Sequence, residues 1–308
     1  SRTEIARLTQ RLSDAGAAAI AFDIVFSEPD RTSPGQIAAR LPQAEGNESL
    51  LRSLSDLPDN DDILADSFAL APVVGGFFLL HEDRGGPIEL PTGMAILGSS
   101  PDGQVEQYRG TVQSLPQLQE ASSGLGSLSI VGDADGILRR APLVFLYKDK
   151  LVPSLSLEAL RVAQQADSIL VKTSNGSGET AGAPGAIVNL RVGDFEVPTT
   201  AAGELWMHFS EPAPERTIPA WKLLSNDISE EEIRAAVEGQ IVFVGASATG
   251  LRDLISTPLA ENEPGVTVHA QAAEQMILGE FLIRPDWAPG LEFFLILLLG
   301  GGLALLLP

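Results

Sequence analysis

One acidic side chain lies inside an apolar run near the start of the sequence. Residues 17–26 are almost all apolar, and Asp23 interrupts them. A carboxylate without a partner is costly to bury, so Asp23 is either paired or lies where a ligand reaches it. Open α/β sheets bind ligands at the carboxyl ends of their strands. Asp23 therefore has two interpretations: a ligand or metal contact at a sheet edge, or a carboxylate that pairs with a buried arginine or caps a helix.

A second group of charged residues surrounds a predicted tight turn. Asp133 and Asp135 belong to the sequence DADG, and Arg139 and Arg140 follow on a predicted strand. Aspartate and glycine favour tight turns, and the closing glutamate of a calcium loop is missing. Neighbouring strand residues point to opposite faces, so one arginine is expected to point inwards, where it can meet Asp23. We interpret this as a structural ion pair, or as an anion clamp if the pair opens to a cleft.

A third group follows a strongly apolar predicted strand at residues 241–245. The sequence GASATG at 245–250 resembles a phosphate-binding loop, but it lacks the lysine of a P-loop and the spacing of a dinucleotide fingerprint. Small residues at this point more simply let the backbone turn sharply at the sheet edge. Asp253 and His269 are the best polar candidates near this edge. The alternative for His269 is a hydrogen bond to a loop.

No catalytic set stands out in the sequence. The chain has no cysteine, and its three histidines show neither H-x-x-x-H nor H-E-x-x-H spacing, so we predict no metal site and no cofactor. No G-x-S-x-G sequence supplies a serine nucleophile. A pair of carboxylates that hydrolyses glycosides is compatible with so acidic a chain, but the sequence singles out no such pair. We therefore predict no catalytic residues.

The charge balance limits the partners. The chain has 41 acidic and 20 basic residues among 308, a formal net charge of −21. So acidic a surface repels phosphate backbones, which argues against a nucleic-acid partner. With 44% apolar residues the chain is long enough to bury a large core, in one large domain or two small ones.

The elements that position these residues alternate between helices and strands. Helical periodicity predicts helices at residues 3–15, 61–70, 154–165, 229–237 and 264–278. Apolar runs predict strands at 17–26, 72–80 and 241–245, and residues 81–110 are predicted to form loops or a hairpin. Strands at 126–131 and 137–147 flank the DADG turn and are predicted to pair antiparallel. The sequence thus predicts an α/β fold with a central, mostly parallel or mixed sheet and helices on both faces.

The end of the sequence is apolar throughout. Every residue from 293 to 307 is apolar or glycine. A bilayer crossing needs about 20 apolar residues, and shorter runs are more typical of buried helices. A helix in water usually keeps a polar face, however, and Trp287 is suited to a membrane interface. We therefore predict that residues 1–287 form the domain and that residues 288–308 begin a transmembrane helix, with a buried terminal helix as the alternative.

Several separated stretches, read in order, carry a family resemblance. They are AFDIVFSEPD (21–30), DADGILRRAP (133–142), PSL (153–155), GQIVFVGASA (239–248), PGV (264–266) and RPDW (284–287). In this order and spacing they resemble the CHASE2 family, the extracellular sensor domains of bacterial receptors. The resemblance extends over residues 12–287.

The resemblance implies a domain at the bacterial inner membrane that faces the periplasm or the extracellular side, between membrane helices. It implies a small-molecule or ionic signal and a cytoplasmic output, with a class III adenylate or guanylate cyclase favoured over a histidine kinase, diguanylate cyclase or serine/threonine kinase. Such outputs act as dimers, so a homodimer is expected. The chain itself is not expected to be an enzyme. The alternatives are a membrane-anchored periplasmic hydrolase and a ligand-free docking or dimerisation domain. The predicted ligand-binding residues are Asp23, Arg139, Arg140, Asp253 and His269.

Overall fold

A computed structural model describes residues 1–41, 47–176, 183–211, 213–225, 227–247, 254–283 and 287–306. Its helices are α1 (Arg2–Asp14), α2 (Pro34–Arg40), α3 (Glu48–Ser55), α4 (Asn60–Ala69), α5 (Pro116–Ala121), α6 (Leu155–Ala163), α7 (Ala220–Leu224), α8 (Glu230–Val237), α9 (Gly265–Leu278) and α10 (Ala288–Leu306). A short 3-10 turn spans Pro214–Arg216.

The strands of the first half are β1 (Ala19–Asp23), β2 (Val73–Leu80), β3 (Met94–Leu97), β4 (Gln107–Tyr108), β5 (Gly110–Val112), β6 (Gly124–Ser127), β7 (Arg140–Pro142), β8 (Val144–Tyr147) and β9 (Lys150–Pro153). Those of the second half are β10 (Ile169–Thr173), β11 (Ile187–Val192), β12 (Phe195–Pro198), β13 (Glu204–Trp206), β14 (Ile241–Gly245), β15 (Leu254–Ile255) and β16 (Glu263–Pro264).

The main sheet is largely parallel. Strands β14, β1, β2 and β6 lie side by side in that order, and each neighbouring pair is parallel. Strand β5 runs antiparallel along the second half of β2. The chain first adds β2 and β6 on one side of β1 and later places β14 on the other side. The strand order therefore reverses between β1 and β14, and open α/β sheets bind ligands at the carboxyl ends of strands at such a switch point.

Helices cover both faces of this sheet, as predicted. Alternate residues of β1 reach two different cores, since side chains of a strand point to opposite faces. Ile20 and Phe22 pack in a cluster with α1, α4, α5 and α8. Ala19 and Ala21 pack instead against α6. The α/β fold with helices on both sides is therefore confirmed.

Helix α6 approaches the sheet closely because β6 carries glycines. A Cβ atom on Gly126 would lie 2.5 Å from Leu155 Cα, and one on Gly124 would lie 2.3 Å from Glu158 Oε1. Carbon atoms pack at about 3.5–4.0 Å, so a larger residue at Gly126 would have to move the backbone of α6, and one at Gly124 would have to displace the Glu158 side chain. This tight contact fixes the helix to the strand.

The remaining strands form smaller sheets, and here two predictions are wrong. The order β12–β11–β10–β3 makes a four-stranded sheet, β4–β8–β9 a three-stranded one, and β13–β7 and β15–β16 are pairs. The predicted hairpin between residues 126–131 and 137–147 does not form, because the glycines of β6 place it under α6, parallel to β2. Residues 81–110 are not only loops, because β3 pairs in parallel with β10. The turn itself is confirmed by the hydrogen bond from Gly136 N–H to Asp133 O at 2.7 Å.

Helix α10 is exposed in this structure, which does not fit the alternative of a buried terminal helix. The helix spans 19 residues, and the large apolar side chains described in it are exposed, with Phe293 64% and Ile296 68% exposed. Across the ranges that the structure describes, no helix combines the length and apolar character needed to cross a membrane.

Candidate functional site at the carboxyl edge of the sheet

The switch point brings the ends of two strands and the start of a helix into contact. Asp23, the last residue of β1, lies in register with Gly245, the last residue of β14. A Cβ atom on Gly245 would lie 2.6 Å from the Cβ of Val266 in α9 and 3.2 Å from the Cβ of Asp23. Glycine is therefore required here for α9 to begin against the strand ends. Gly245 and Ser247 are exposed, so the edge is open to solvent.

Two helices begin at this edge. Ser127, which ends β6, forms a bridge with Ser154, and the Ser154 hydroxyl caps α6 by accepting the Leu157 N–H at 3.3 Å. Helix α9 begins beside Gly245, as its contact with Val266 shows. A helix N-terminus carries a partial positive charge. The N-termini of α6 and α9 therefore stabilise the ionised carboxylate of a residue such as Asp23. They also attract an anionic group of a ligand.

His269 lies one turn inside α9 and joins it to α6. Its Nδ1 atom is 3.0 Å from the Ser156 hydroxyl, and both side chains are buried. Within the described part of the chain, Nε2 has no partner in hydrogen-bond geometry. Burial lowers the pKa of His269 to about 4, and the neighbouring Leu128 backbone acts in the opposite direction. His269 is therefore neutral at pH 7.

The Ser156–His269 pair resembles the start of a nucleophilic site, but it is not placed for one. Ser156 is 2% exposed and His269 is 4% exposed, so a substrate carbonyl does not reach the hydroxyl. The described residues also contain no group of three or more His, Asp or Glu side chains that could hold a metal ion. The pair instead fixes the position of α9 relative to α6.

Arg139 and Arg140 form a network of ion pairs around the DADG turn. Arg139 donates to both oxygens of Asp135 at 3.0 and 2.8 Å and to Asp133 at 3.3 Å. Arg140 donates from Nε to Asp133 at 3.1 Å and from Nη1 to Glu204 at 2.8 Å. The hydrogen bond from Arg140, followed by that from Arg139, holds the pKa of Asp133 below its usual range.

These contacts correct the expected geometry of the arginines. Both guanidinium groups bind Asp133, rather than one of them turning inwards to Asp23. The three carboxylates of Asp133, Asp135 and Glu204 outnumber the two guanidinium groups. No surplus positive charge is left to clamp an anion, so this network stabilises the turn and the β7–β13 pair.

Of the five predicted ligand-binding residues, the structure places Asp23 and His269 at one edge, through Gly245 and the first turns of α9. Arg139 and Arg140 belong to the separate network at the turn. Asp253 lies outside the described residues, as do residues 248–252, so its role stays a prediction. Sequence reasoning missed Ser156; the signal for it was a polar residue in an otherwise apolar helix start.

The start of α1 is anchored at the loop that follows β1, which sequence reasoning also missed. Arg2 donates its backbone N–H to Asp30 at 2.9 Å and its Nε to Asp61 at 3.0 Å. Its guanidinium group lies 4.4 Å above the Phe26 ring. Although burial raises it, hydrogen bonds from the Arg2 and Thr32 backbones hold the pKa of Asp30 well below its usual range. The FSEPD segment of the resemblance thus fixes the first helix.

Comparison with known proteins agrees with this architecture. The family model described as the CHASE2 domain matches residues 1–305. No curated protein and no solved structure matches the chain. CHASE2 domains are extracellular sensor domains of membrane receptors. Because the match spans almost the entire sequence, this chain belongs to the CHASE2 domain family.

Proposed function

We propose that this chain is the sensor domain of a bacterial inner-membrane receptor, facing the periplasm or the extracellular side and controlling a cytoplasmic output. Membership of a sensor-domain family supports this role. The favoured output is a class III adenylate or guanylate cyclase, with a histidine kinase or diguanylate cyclase as alternatives, and the receptor acts as a homodimer. The chain itself supplies no catalysis.

The proposed attachment to the membrane is through residues 288–308. Helix α10 has exposed leucine, isoleucine and phenylalanine side chains on every side, and Trp287 before it is 65% exposed. A protein partner would cover one face of such a helix, whereas a lipid phase surrounds it completely. We interpret α10 as the beginning of a transmembrane helix, with Trp287 at the interface.

The proposed signal site is the carboxyl edge of the main sheet. The observation that carries it is the register of Asp23 with Gly245 at the topological switch point, beside the first turn of α9. The edge is solvent-exposed and two helices begin at it. The ligand is a small molecule or an ion that contacts Asp23 and the strand ends.

Helices at the same edge connect the proposed site to the segments that lead to the membrane. Helix α9 begins at the site and is followed, after residues 279–287, by α10. Helix α1 is anchored by Arg2 to the loop that leaves β1. A signal that favours one of two arrangements of these helices by about 1.4 kcal/mol shifts their equilibrium about tenfold.

A thermal-shift screen of the chain in mild detergent against ions, small metabolites and a pH series tests the proposal. A ligand at a hundredfold excess over its Kd stabilises the folded state by about 2.7 kcal/mol. We expect a ligand whose stabilising effect is lost in the variant Asp23→Asn and kept in the variant Asp66→Asn. Asp66 is the control because its carboxylate is exposed on α4 and is not part of the proposed site. A screen in which every hit persists unchanged in Asp23→Asn refutes this site. A screen without hits favours the docking or dimerisation domain instead.

A further inference from the structure

A cleft lies at the opposite edge of the main sheet, where the parallel strands begin. It has a volume of about 660 Å³. Its walls come from residues 17–18 before β1, Pro72 before β2, Ser123 before β6, residues 91–92 before β3, and the end of α6. The cleft is thus separated from the carboxyl edge by the length of the strands and of α6.

The cleft stays open because the residues around it are small or stiff. Ala17, Ala18, Ala163 and Ala166 have no side chain long enough to fill it. Gln165, which also lines it, has a φ of +51° in the left-handed turn that closes α6, where its N–H donates to Val162 O and the Ala166 N–H donates to Arg161 O. A volume of this size suits a small molecule.

A buried arginine supplies a donor in the wall. Arg161 is 6% exposed and pairs with Glu158, which its Nε contacts at 3.0 Å and its Nη2 at 2.7 Å. Nη2 also donates to the Ser123 carbonyl, and Nη1 donates to the Ala166 carbonyl, both at 2.9 Å. These contacts use four of the five N–H donors. One Nη1–H therefore has no acceptor among the described residues, and both Arg161 and Ala166 line the cleft.

The rest of the charge at the cleft is negative. The charge of Arg161 is matched by Glu158, so the cleft has no net cationic group for a lone anion. Helix α6 ends here, and a helix C-terminus carries a partial negative charge that attracts cations. Asp167, exposed at the mouth, adds a carboxylate. A matching ligand needs an acceptor at one end and a cationic donor at the other.

We propose that this cleft binds a small zwitterion of the α-amino-acid class. Its carboxylate accepts the Nη1–H of Arg161, and its ammonium group lies towards Asp167 and the last carbonyls of α6. The small side chains around the cleft leave room for the amino-acid side chain. This site lies at the opposite edge of the sheet from the proposed signal site and shares no residue with it.

The first test uses the whole chain in mild detergent and the twenty common amino acids as probes in a thermal-shift assay, followed by calorimetric titration. Sodium acetate and methylammonium chloride supply the two charged halves separately. At least one amino acid is expected to raise Tm and bind with one-to-one stoichiometry, while neither half does so at the same concentration. Absence of binding by all twenty, or equal binding of acetate, overturns the proposal.

Variants then locate the site. Ala163→Leu fills the cleft without touching a charged group and should abolish binding. Asp167→Asn changes only an exposed residue and should weaken binding about fivefold through loss of one charge contact. Asp66→Asn, an exposed residue on α4, is the control that should bind as the unchanged chain does. If Ala163→Leu fails to fold, Asp167→Asn still decides the question, and binding unaffected by Asp167→Asn places the ligand elsewhere.

Discussion

The buried imidazole of His269 should make the domain less stable in mild acid. Burial lowers the folded-state pKa of His269 to about 4, from 6.5 for an accessible histidine. The unfolded chain therefore binds more protons than the folded chain between these values. The stability that His269 contributes is fully present above pH 6.5 and is lost as the pH falls towards 4.

The expected size follows from the two pKa values. One unit of pKa difference corresponds to about 1.4 kcal/mol, so the complete shift is worth about 3 kcal/mol. At pH 5 the unfolded-state imidazole is almost fully protonated and the folded-state one is mostly neutral. About 2 kcal/mol of unfolding free energy should then be lost between pH 8 and pH 5. Asp30 and Asp133, whose pKa values are lowered, lose their contributions only in the more acidic range below their usual values.

Urea unfolding of the chain and of His269→Asn, at several values between pH 8 and pH 5, measures this term. Asparagine keeps a polar group near Ser156 but does not titrate, so the variant should be less stable at pH 8 and show a pH dependence about 2 kcal/mol smaller. His208→Asn is the matched control, because it makes the same substitution at a histidine whose side chain is 60% exposed. Equal slopes for the chain and His269→Asn would falsify a buried neutral imidazole.

Three further predictions concern α6, the glycines below it and a helix cap. Arg161→Met leaves Glu158 buried without its partner and should lower the unfolding free energy by about 3–5 kcal/mol in urea titrations, whereas the double variant with Glu158→Leu should recover most of it. Gly126→Ala forces a Cβ to within 2.5 Å of Leu155 and should cost about 1–3 kcal/mol by the same measurement. Ser229→Ala removes the capping box of α8 and should cost about 1 kcal/mol, visible as faster amide exchange in its first turn.

The sequence predicted those elements whose periodicity agrees with their place in the fold. Helix α8 begins where its capping box indicated, and α9 occupies nearly the predicted range. Strand β1 is shorter than the apolar run that predicted it, because the run continues past Asp23 into a loop that is hydrogen-bonded to Ser114 and to the start of α1. Composition shows that such residues are buried, but not where strand pairing stops.

Strand partners were harder to predict than strands. The tight DADG turn suggested a hairpin because local turn chemistry is readable from a sequence. The partner of β6 is instead β2, about fifty residues earlier, and the choice depends on how closely α6 must approach Gly124 and Gly126. Such contacts arise from tertiary packing, so the local sequence pattern could not predict which strand pairs with β6.

The positions of the candidate site residues were also predicted only in part. The sequence placed Asp23 inside a strand over residues 17–26, whereas in the structure it is the last residue of β1, in register with Gly245. The partners of Arg139 and Arg140 were missed, although Asp133 and Asp135 are only four to seven residues away. Strand alternation assumed regular geometry from residue 137 onwards, but β7 begins only at Arg140, so Arg139 is free of that constraint.

Helix α6 links the two proposed binding regions mechanically. Its start contacts the carboxyl edge through Ser154 and, through Ser156, His269 of α9; its end contacts the amino edge through Arg161. Nine residues span about 13 Å, and the glycines of β6 hold the helix too close to the sheet for it to roll independently. A ligand at either edge that displaces α6 must therefore also displace α9, the helix that precedes α10. Two chemically different sites can in this way act on one element that leads to the membrane.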